Sequence, residues 1–123
     1  MIHILSAKQF DRAQLEYLMR RAQEMDMIFQ SGGTDMLHHR ILATLFYEPS
    51  TRTRLSFETA MLRLGGQIIS ETDVTFSSQS KGEILADTTR IIAGYADIIA
   101  IRSKNVGDAK IASEFSSVPV INA

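Results

Sequence analysis

The segment that decides the fold is ILATLFYEPSTRTRLSFETAML, residues 41–62. Residues 41–47 are nearly all apolar or β-branched, and a short run without alternation is typical of a strand buried on both faces of a parallel sheet. Pro49 disfavours a helical conformation at Glu48 and begins a turn. From Thr51 onward the apolar residues recur at helical spacing. The segment therefore predicts a buried strand, a turn and a helix, in that order.

A long helix is predicted ahead of this segment. Residues 6–9 and 11–14 both have the spacing of capping boxes, and the glycines at 32 and 33 permit a left-handed exit from the helix. Between these signals the apolar residues fall on one face, which predicts core packing rather than a cofactor site. That face consists of Leu15, Leu18, Met19, Ala22, Met25 and Phe29.

After residue 62 the pattern alternates between strand and helix. Strands are predicted at residues 67–70, 98–101 and 118–121, a loop at 71–82 and a short helix at 108–115. A third helix is predicted from an apolar face of Ile84, Thr88, Ile91, Ile92 and Tyr95. This alternation predicts one α/β domain over residues 1–123: a three-layer αβα sandwich with a four-stranded parallel sheet, doubly wound. Ligands of such sheets bind off the carboxyl ends of the strands.

Composition excludes several classes of function. The chain has 13 basic and 14 acidic residues, and this balance argues against nucleic acid as a partner. It has no cysteine, so it has neither disulfides nor a thiolate zinc site, which is in keeping with a cytoplasmic protein. No apolar run is long enough to span a membrane. The histidines at 3, 38 and 39 have no metal-ligand spacing, so no metal is expected.

The chemical centre is predicted at residues 50–54, Ser-Thr-Arg-Thr-Arg, called the pentad below. It lies at a helix N-terminus, where free N–H groups and the helix dipole favour an anion. Arg52 and Arg54 oppose that dipole at a cost of roughly 0.3–1 kcal/mol each, unless a bound anion reverses the local field. A guanidinium matches phosphate oxygens two at a time. The pentad therefore predicts a site for a phosphate-like anion.

The alternative is a capped helix without a ligand. Ser50 and Thr51 would then cap the helix, and the two arginines would turn to acidic neighbours such as Glu48 and Glu58. Residues 52 and 54 lie about 200° apart on a helix, so both side chains cannot point at one ligand. Of the two arginines, Arg54 is the better candidate for a structural role.

Arg102 is the second candidate, because it ends a predicted buried strand at the edge where ligands bind. Taken alone, it can equally be an arginine that extends out of the core. Together with the pentad, it favours a site. Ser77 and Lys81 lie in the predicted serine-rich loop, where such residues are usually just solvated.

Residues 46–58, FYEPSTRTRLSFE, resemble the signature of the carbamoyltransferases. Residues 81–83, 87–88 and 97–102 keep the order and spacing of that family. The lysine at 81 resembles the aspartate enzymes, because ornithine carbamoyltransferases carry the same pentad but generally lack this lysine. The resemblance covers essentially the whole chain.

The resemblance implies a role for each pentad residue. Ser50, Thr51, Arg52 and Thr53 would hold the phosphate of carbamoyl phosphate. Thr53 and Arg102 would also polarise the carbamoyl oxygen, which becomes negative during attack by the amine. Arg52, Thr53 and Arg102 are thus expected to be catalytic.

The resemblance also implies a shared site. Ser77 and Lys81 would reach into the active site of a neighbouring subunit, and Lys81 would be catalytic there. A homotrimer held together through this domain is therefore expected.

The reaction that the resemblance implies is carbamoyl transfer from carbamoyl phosphate to L-aspartate. The products would be N-carbamoyl-L-aspartate and phosphate, in pyrimidine biosynthesis, without metal or organic cofactor. The family's aspartate-binding domain is expected to be absent from a chain that stops at Ala123. This chain alone is therefore not expected to catalyse the transfer. The alternative is a non-catalytic module that only assembles trimers.

Overall fold

The computed structural model describes residues 2–71 and 84–123. Within them, a short 3-10 turn (Ala7–Gln9) precedes four helices and four strands. In chain order they are α1 (Arg12–Gln30), β1 (Ile41–Phe46), α2 (Thr51–Arg63), β2 (Gln67–Glu71), α3 (Leu85–Ala93), β3 (Ile98–Arg102), α4 (Asp108–Phe115) and β4 (Val120–Asn122). The predicted order of elements is confirmed. The predicted loop at 71–82 lies outside the described residues except for Glu71, which ends β2.

The four strands form one parallel sheet in the order β2-β1-β3-β4. Leu42 in β1 pairs with Ile68 on one side and with Ile98 on the other. The chain therefore runs from β1 outward to β2 and then returns across β1 to β3. This reversal makes the gap between β1 and β3 the switch point of the sheet, and a crevice for ligands opens off the carboxyl ends of these two strands.

Helices cover both faces of the sheet, as predicted. Ala43 and Leu45 of β1 belong to a buried cluster that includes Leu85 of α3 and Ala112 of α4. Leu42 points to the opposite face and packs in a second cluster, with residues of α2 and of the neighbouring strands: Met61, Ala100, Phe57, Ile68 and Ile98. The two clusters give the three-layer sandwich.

The predicted apolar face of α3 is wrong. Three of its members are exposed (Ile84, Ile91 and Tyr95), and Thr88 and Ile92 are half-buried. The helix instead buries Leu85, Ala86, Thr89 and Ala93. These mostly small side chains let α3 pack closely against α4, and the buried Thr89 satisfies its hydroxyl by donating to the carbonyl of Leu85 at 2.7 Å. Steric fit therefore outweighs the hydrophobicity of the larger residues.

The prediction that α1 packs on the core is also wrong. Both capping boxes are confirmed, at Ser6 and Asp11, and the helix ends at Gln30 just before Gly32 and Gly33, as predicted. However, α1 buries none of its residues, and Leu15, Leu18, Met19 and Phe29 are exposed. Within the described residues, no helix is long and apolar enough to cross a membrane.

The last strand starts two residues later than predicted, at Val120. Pro119 has no N–H to give to a ladder. Before it, the hydroxyl of Ser116 donates to the carbonyl of Val118 at 2.7 Å, which forms a turn.

Candidate anion-binding site

The ends of β1 and β3 bring the predicted site segments together. Phe46 pairs with Arg102 in the parallel ladder, and the N–H of Tyr47 donates to the carbonyl of Arg102 at 2.8 Å. The pentad begins four residues after Phe46. Arg102 and the pentad therefore meet at the switch point of the sheet, where the fold opens a crevice.

The first turn of α2 has free backbone donors. Ser50 is the N-cap residue, but its hydroxyl does not cap the helix and donates to Oγ1 of Thr53 at 2.9 Å. The first intrahelical bond runs from the N–H of Arg54 to the carbonyl of Ser50 at 3.0 Å. The N–H groups of Thr51, Arg52 and Thr53 find no acceptor among the described residues. The side-chain cap of the alternative interpretation is absent, and three open N–H groups lie at the positive end of the helix, as the anion-site prediction requires.

The hydroxyl of Thr53 is also available to a ligand. Its oxygen accepts the hydrogen of Ser50, so its own hydrogen remains free to donate outward. An oxyanion above this turn can therefore receive both backbone and hydroxyl donors.

The two pentad arginines differ in their surroundings. Nη1 of Arg54 lies 3.4 Å from Oε1 of Glu58, one turn along the helix. Arg54 therefore pairs with an acidic neighbour, as the alternative of a helix without a ligand predicts. Arg52 is exposed and makes no hydrogen bond or ion pair within the described residues. Arg52 is therefore the pentad cation without an acidic partner, whereas Arg54 shares its charge with Glu58.

Arg102 faces a carboxylate across the crevice. Its Nε lies 3.2 Å from Oε2 of Glu48, yet this buried nitrogen makes no hydrogen bond, because the angle is unsuitable. Its Nη1 reaches only the carbonyl of Ala123, at 3.5 Å. Glu48 was considered as a partner for the pentad arginines, but it pairs with Arg102 instead. A buried donor without an acceptor is costly, so Arg102 gains from any anion that supplies one.

A cleft of about 160 Å³ opens at this end of α2, lined by Phe46, Pro49, Ser50, Thr51 and Arg54. A larger cleft of about 290 Å³ lies between α1 and α2, but most of its lining is apolar. There, Arg63 is stacked over the ring of Phe29 at 4.7 Å. The smaller cleft is the candidate site because its lining includes the start of α2, with Ser50 and Thr51, and the cation Arg54.

Two predicted site residues, Ser77 and Lys81, lie outside the described residues. Among the residues that are described, no group of three or more histidine, cysteine, aspartate or glutamate side chains could hold a metal ion.

The family described as "aspartate/ornithine carbamoyltransferase, carbamoyl-P binding domain" matches residues 2–123. The chain belongs to this carbamoyltransferase family. Two similar proteins are the aspartate carbamoyltransferase catalytic subunits of Methanoculleus marisnigri, 54% identical over 123 residues, and of Methanococcus maripaludis strain C7, 52% identical over 124 residues. Each alignment covers 100% of this chain and 41% of the relative, so the chain spans less than half the length of these carbamoyltransferases.

Solved carbamoyltransferase structures have the same fold. The catalytic subunit of M. jannaschii aspartate transcarbamoylase matches 100% of this chain and 42% of its own, with a TM-score of 0.93 and 50% identity. Aspartate transcarbamoylase from Trypanosoma cruzi, in complex with carbamoyl phosphate, matches 98% of this chain and 39% of its own, with a TM-score of 0.90 and 38% identity.

Proposed function

We propose that this chain binds carbamoyl phosphate at the carboxyl ends of β1 and β3 and supplies that half of an aspartate carbamoyltransferase active site. The observation that carries the proposal is the set of open N–H groups on the first turn of α2, beside Arg102 and the exposed Arg52. Support also comes from the similar T. cruzi enzyme, which has been solved with carbamoyl phosphate and with carbamoyl phosphate plus aspartate.

The phosphate group would lie over the first turn of α2. The open N–H groups and the hydroxyls of Ser50, Thr51 and Thr53 would donate to its oxygens, and Arg52 would supply a guanidinium fork. No metal or organic cofactor is needed for this binding, because backbone dipoles and arginines already balance the charge.

The carbamoyl group would point toward Arg102. An amine that attacks the carbamoyl carbon forms a C–N bond, and negative charge develops on the carbamoyl oxygen. Arg102 and the hydroxyl of Thr53 would stabilise that charge. The bond between the carbamoyl carbon and the phosphate oxygen then breaks, and the departing phosphate can accept the proton that the amine loses. The protein therefore contributes positioning and charge stabilisation.

We assign L-aspartate as the second substrate, and N-carbamoyl-L-aspartate, a precursor in pyrimidine biosynthesis, as the product. Lys81 matches the aspartate branch of the family, and the similar full-length proteins are named as aspartate carbamoyltransferases. A cytoplasmic location is part of this proposal.

A homotrimer is the second part of the proposal, with Ser77 and Lys81 acting in a neighbouring subunit's site. The observation that favours assembly is the exposed apolar stripe on and beside α3, formed by Ile84, Ile91 and Tyr95, which are 61%, 49% and 60% exposed. Large apolar residues grouped on one face are typical of an interface. If the chain assembles without binding ligand, its function is that of an assembly module instead.

The test of the binding proposal is a calorimetric titration of this chain with carbamoyl phosphate in phosphate-free buffer. We expect saturable heat that Arg52→Ala removes and that Arg12→Ala, a control at an exposed arginine of α1, preserves. Because Arg52 has no partner among the described residues, its loss should leave the free energy of unfolding, measured in urea, within about 0.5 kcal/mol of the parent. If Arg52→Ala binds carbamoyl phosphate as tightly as the parent, the proposal that the pentad binds this ligand is wrong.

A further inference from the structure

Glu58 is a buried carboxylate beneath the candidate site. It is 7% exposed, the least of any charged residue that the structure describes. Its Oε1 lies 3.0 Å from the hydroxyl oxygen of Thr44 in β1 and 2.9 Å from that of Ser70 in β2. The same oxygen is 3.4 Å from Nη1 of Arg54. One carboxylate oxygen therefore joins the helix that carries the pentad to two adjacent strands.

The two hydroxyls leave little freedom in this arrangement. Thr44 is fully buried, and its hydroxyl is also 2.9 Å from that of Ser70. Each hydroxyl has one hydrogen, so Thr44 donates either to Glu58 or to Ser70, and in both cases the chain of donors ends on the carboxylate. Glu58 is thus the common acceptor on which the side chains of two strands and of α2 converge.

Arg54 connects this network to the cleft. Its side chain, which is 31% exposed, lines the cleft beside Ser50 and Thr51 while one of its nitrogens faces Glu58. A guanidinium has five N–H donors in a rigid plane, so contact with Glu58 at one edge leaves others for the cleft. Arg54, held by Glu58, forms a fixed cationic wall on the side of the cleft next to the first turn of α2.

We infer that Glu58 is a positioning residue of the anion site, acting through Arg54: it holds the Arg54 guanidinium against the cleft and anchors the first turns of α2 to β1 and β2. This inference rests on the proposed function, because the anion that profits from the placement is the phosphate of carbamoyl phosphate.

The positioning role and simple electrostatics predict opposite changes in phosphate affinity when Glu58 is replaced by glutamine. Glu58→Gln removes a negative charge near an anion, so simple electrostatics predicts tighter binding. Loss of positioning predicts weaker binding, because Arg54 is then free to adopt several rotamers and a loosely held guanidinium must be ordered by the ligand. The direction of the change therefore distinguishes a positioning role from a merely nearby charge.

The experiment measures the affinity of inorganic phosphate for this chain by calorimetry at about 0.15 M salt, where the Debye length is about 8 Å. Glu58→Gln should weaken phosphate binding about fivefold to tenfold. Arg54→Met should weaken it at least as much, and the double variant should bind no more weakly than Arg54→Met alone, because both act through one side chain. Lys104→Met, an exposed cation in the loop after β3, controls for the loss of a positive charge.

The outcomes separate the two proposals. If the parent chain binds no phosphate and no carbamoyl phosphate, the proposed function fails and this inference fails with it. If the parent binds and Arg52→Ala does not, but Glu58→Gln binds equally well or more tightly, only the inference is overturned. The inference is also overturned if the loss of phosphate affinity in the double variant equals the product of the losses in Glu58→Gln and Arg54→Met, because the two residues then act independently.

Folding is monitored by urea unfolding of each variant. If Glu58→Gln does not fold, Arg54→Met decides, because its partly exposed side chain is not required for the core. Phosphate binding by Arg54→Met that matches the Lys104→Met control would then overturn the inference.

Discussion

Nε of Arg102 lies 3.2 Å from Oε2 of Glu48, so the last residue of β3 is paired with the second residue after β1. The pair stands at the switch point of the sheet, beside the open N–H groups of α2. The Glu48 carboxylate lies where an anionic ligand of Arg102 would bind. It attracts the Arg102 guanidinium electrostatically but does not accept a hydrogen bond from the buried Nε. The site is thus partly neutralised by a group of its own.

This pairing predicts that Glu48→Gln tightens the binding of carbamoyl phosphate or inorganic phosphate. The variant removes a competing negative charge and frees Arg102 for the ligand. We expect a gain of about threefold to tenfold, which is roughly 0.7–1.4 kcal/mol. Calorimetric titration of the parent and the variant measures it, and the gain should shrink as salt is raised. Unchanged or weaker binding would show that Glu48 does not compete with the ligand.

Glu48→Gln and Glu58→Gln are controls for each other. Both variants delete one negative charge from the same region and keep the shape of the side chain. Glu48 is half-buried and faces only Arg102 among the described residues, whereas Glu58 is buried among donors from two strands and a helix. If phosphate affinity rises in Glu48→Gln and falls in Glu58→Gln, the difference is due to the positions of the two carboxylates, because both variants change the net charge equally.

The meeting of the candidate site segments could be predicted because it depends on topology. A strand-turn-helix segment at 41–62 and a buried strand that ends at Arg102 are visible in the pattern of apolar residues. In a parallel sheet, the carboxyl ends of both strands must lie at one edge. The pairing of Glu48 with Arg102 could not be predicted, because it depends on which strands are neighbours and on side-chain rotamers.

The helix faces show the limit of periodicity. Spacing identified α1 and α3 as helices, but it did not identify which side is covered. On α3 the core accepts Ala86, Thr89 and Ala93, since close packing against α4 requires small side chains, and the larger Ile91 is left outside. On α1 the apolar face is present but only partly covered, because Arg63 of α2 stacks over Phe29 while Leu15 and Met19 stay exposed. Hydrophobic spacing therefore identifies a helix without identifying the face that the fold buries.

The proposed homotrimer would use the exposed stripe of α3, so a charge placed on that stripe should weaken it. Ile91→Lys should raise the dissociation constant of a trimer at least tenfold, because it places a charge at an apolar contact. Since Ile91 is 49% exposed, the fold of the monomer should be retained. Native mass measurement over a range of concentrations checks this, with Val106→Lys as the control at an exposed loop valine. A trimer of the same strength in Ile91→Lys would place the interface elsewhere.

Two adjacent glycines after α1 should differ in their tolerance of a side chain. Gly32 and Gly33 have φ values of 103° and 118°, so alanine is strained at either position. A Cβ at Gly32 meets nothing within 4 Å, whereas one at Gly33 would lie 2.5 Å from the carbonyl oxygen of Arg63. That oxygen already accepts the N–H of Thr34 at 2.8 Å and cannot move freely.

We therefore expect Gly32→Ala to lower the free energy of unfolding by about 1 kcal/mol. Gly33→Ala should cost about 1–3 kcal/mol more, because it adds overpacking to the same backbone strain. Urea unfolding of the two variants gives the comparison directly. Equal losses would mean that the contact between the end of α1 and the end of α2 relaxes at little cost.

Asp97 predicts how stability depends on pH at the edge of the sheet opposite the site. The pKa of its carboxyl is lowered, first because the N–H of Ile41 donates to it at 2.9 Å and then because Arg40 lies 2.7 Å away. A lowered pKa in the folded state means that the unfolded chain binds the proton more readily. Asp97 therefore stabilises the fold above its unfolded pKa, and this contribution is lost as pH falls through the lower, folded pKa.

Asp97→Asn should accordingly lower the free energy of unfolding by about 1 kcal/mol at pH 7, because a hydrogen bond to a charged group contributes about 1.5–3 kcal/mol and solvent screening of this 36% exposed side chain reduces that value. The difference from the parent should narrow as the pH is lowered below about 4, where the unfolded aspartate becomes protonated. Urea unfolding at neutral and acid pH measures this difference in the free energy of unfolding. Asp26→Asn on α1 is the control, and its free energy of unfolding should stay within about 0.5 kcal/mol of the parent. Because Asp97 lies at the amino ends of the strands, its loss should leave phosphate affinity unchanged. A difference between Asp97→Asn and the parent that is the same at both pH values would show that the aspartate acts by shape alone.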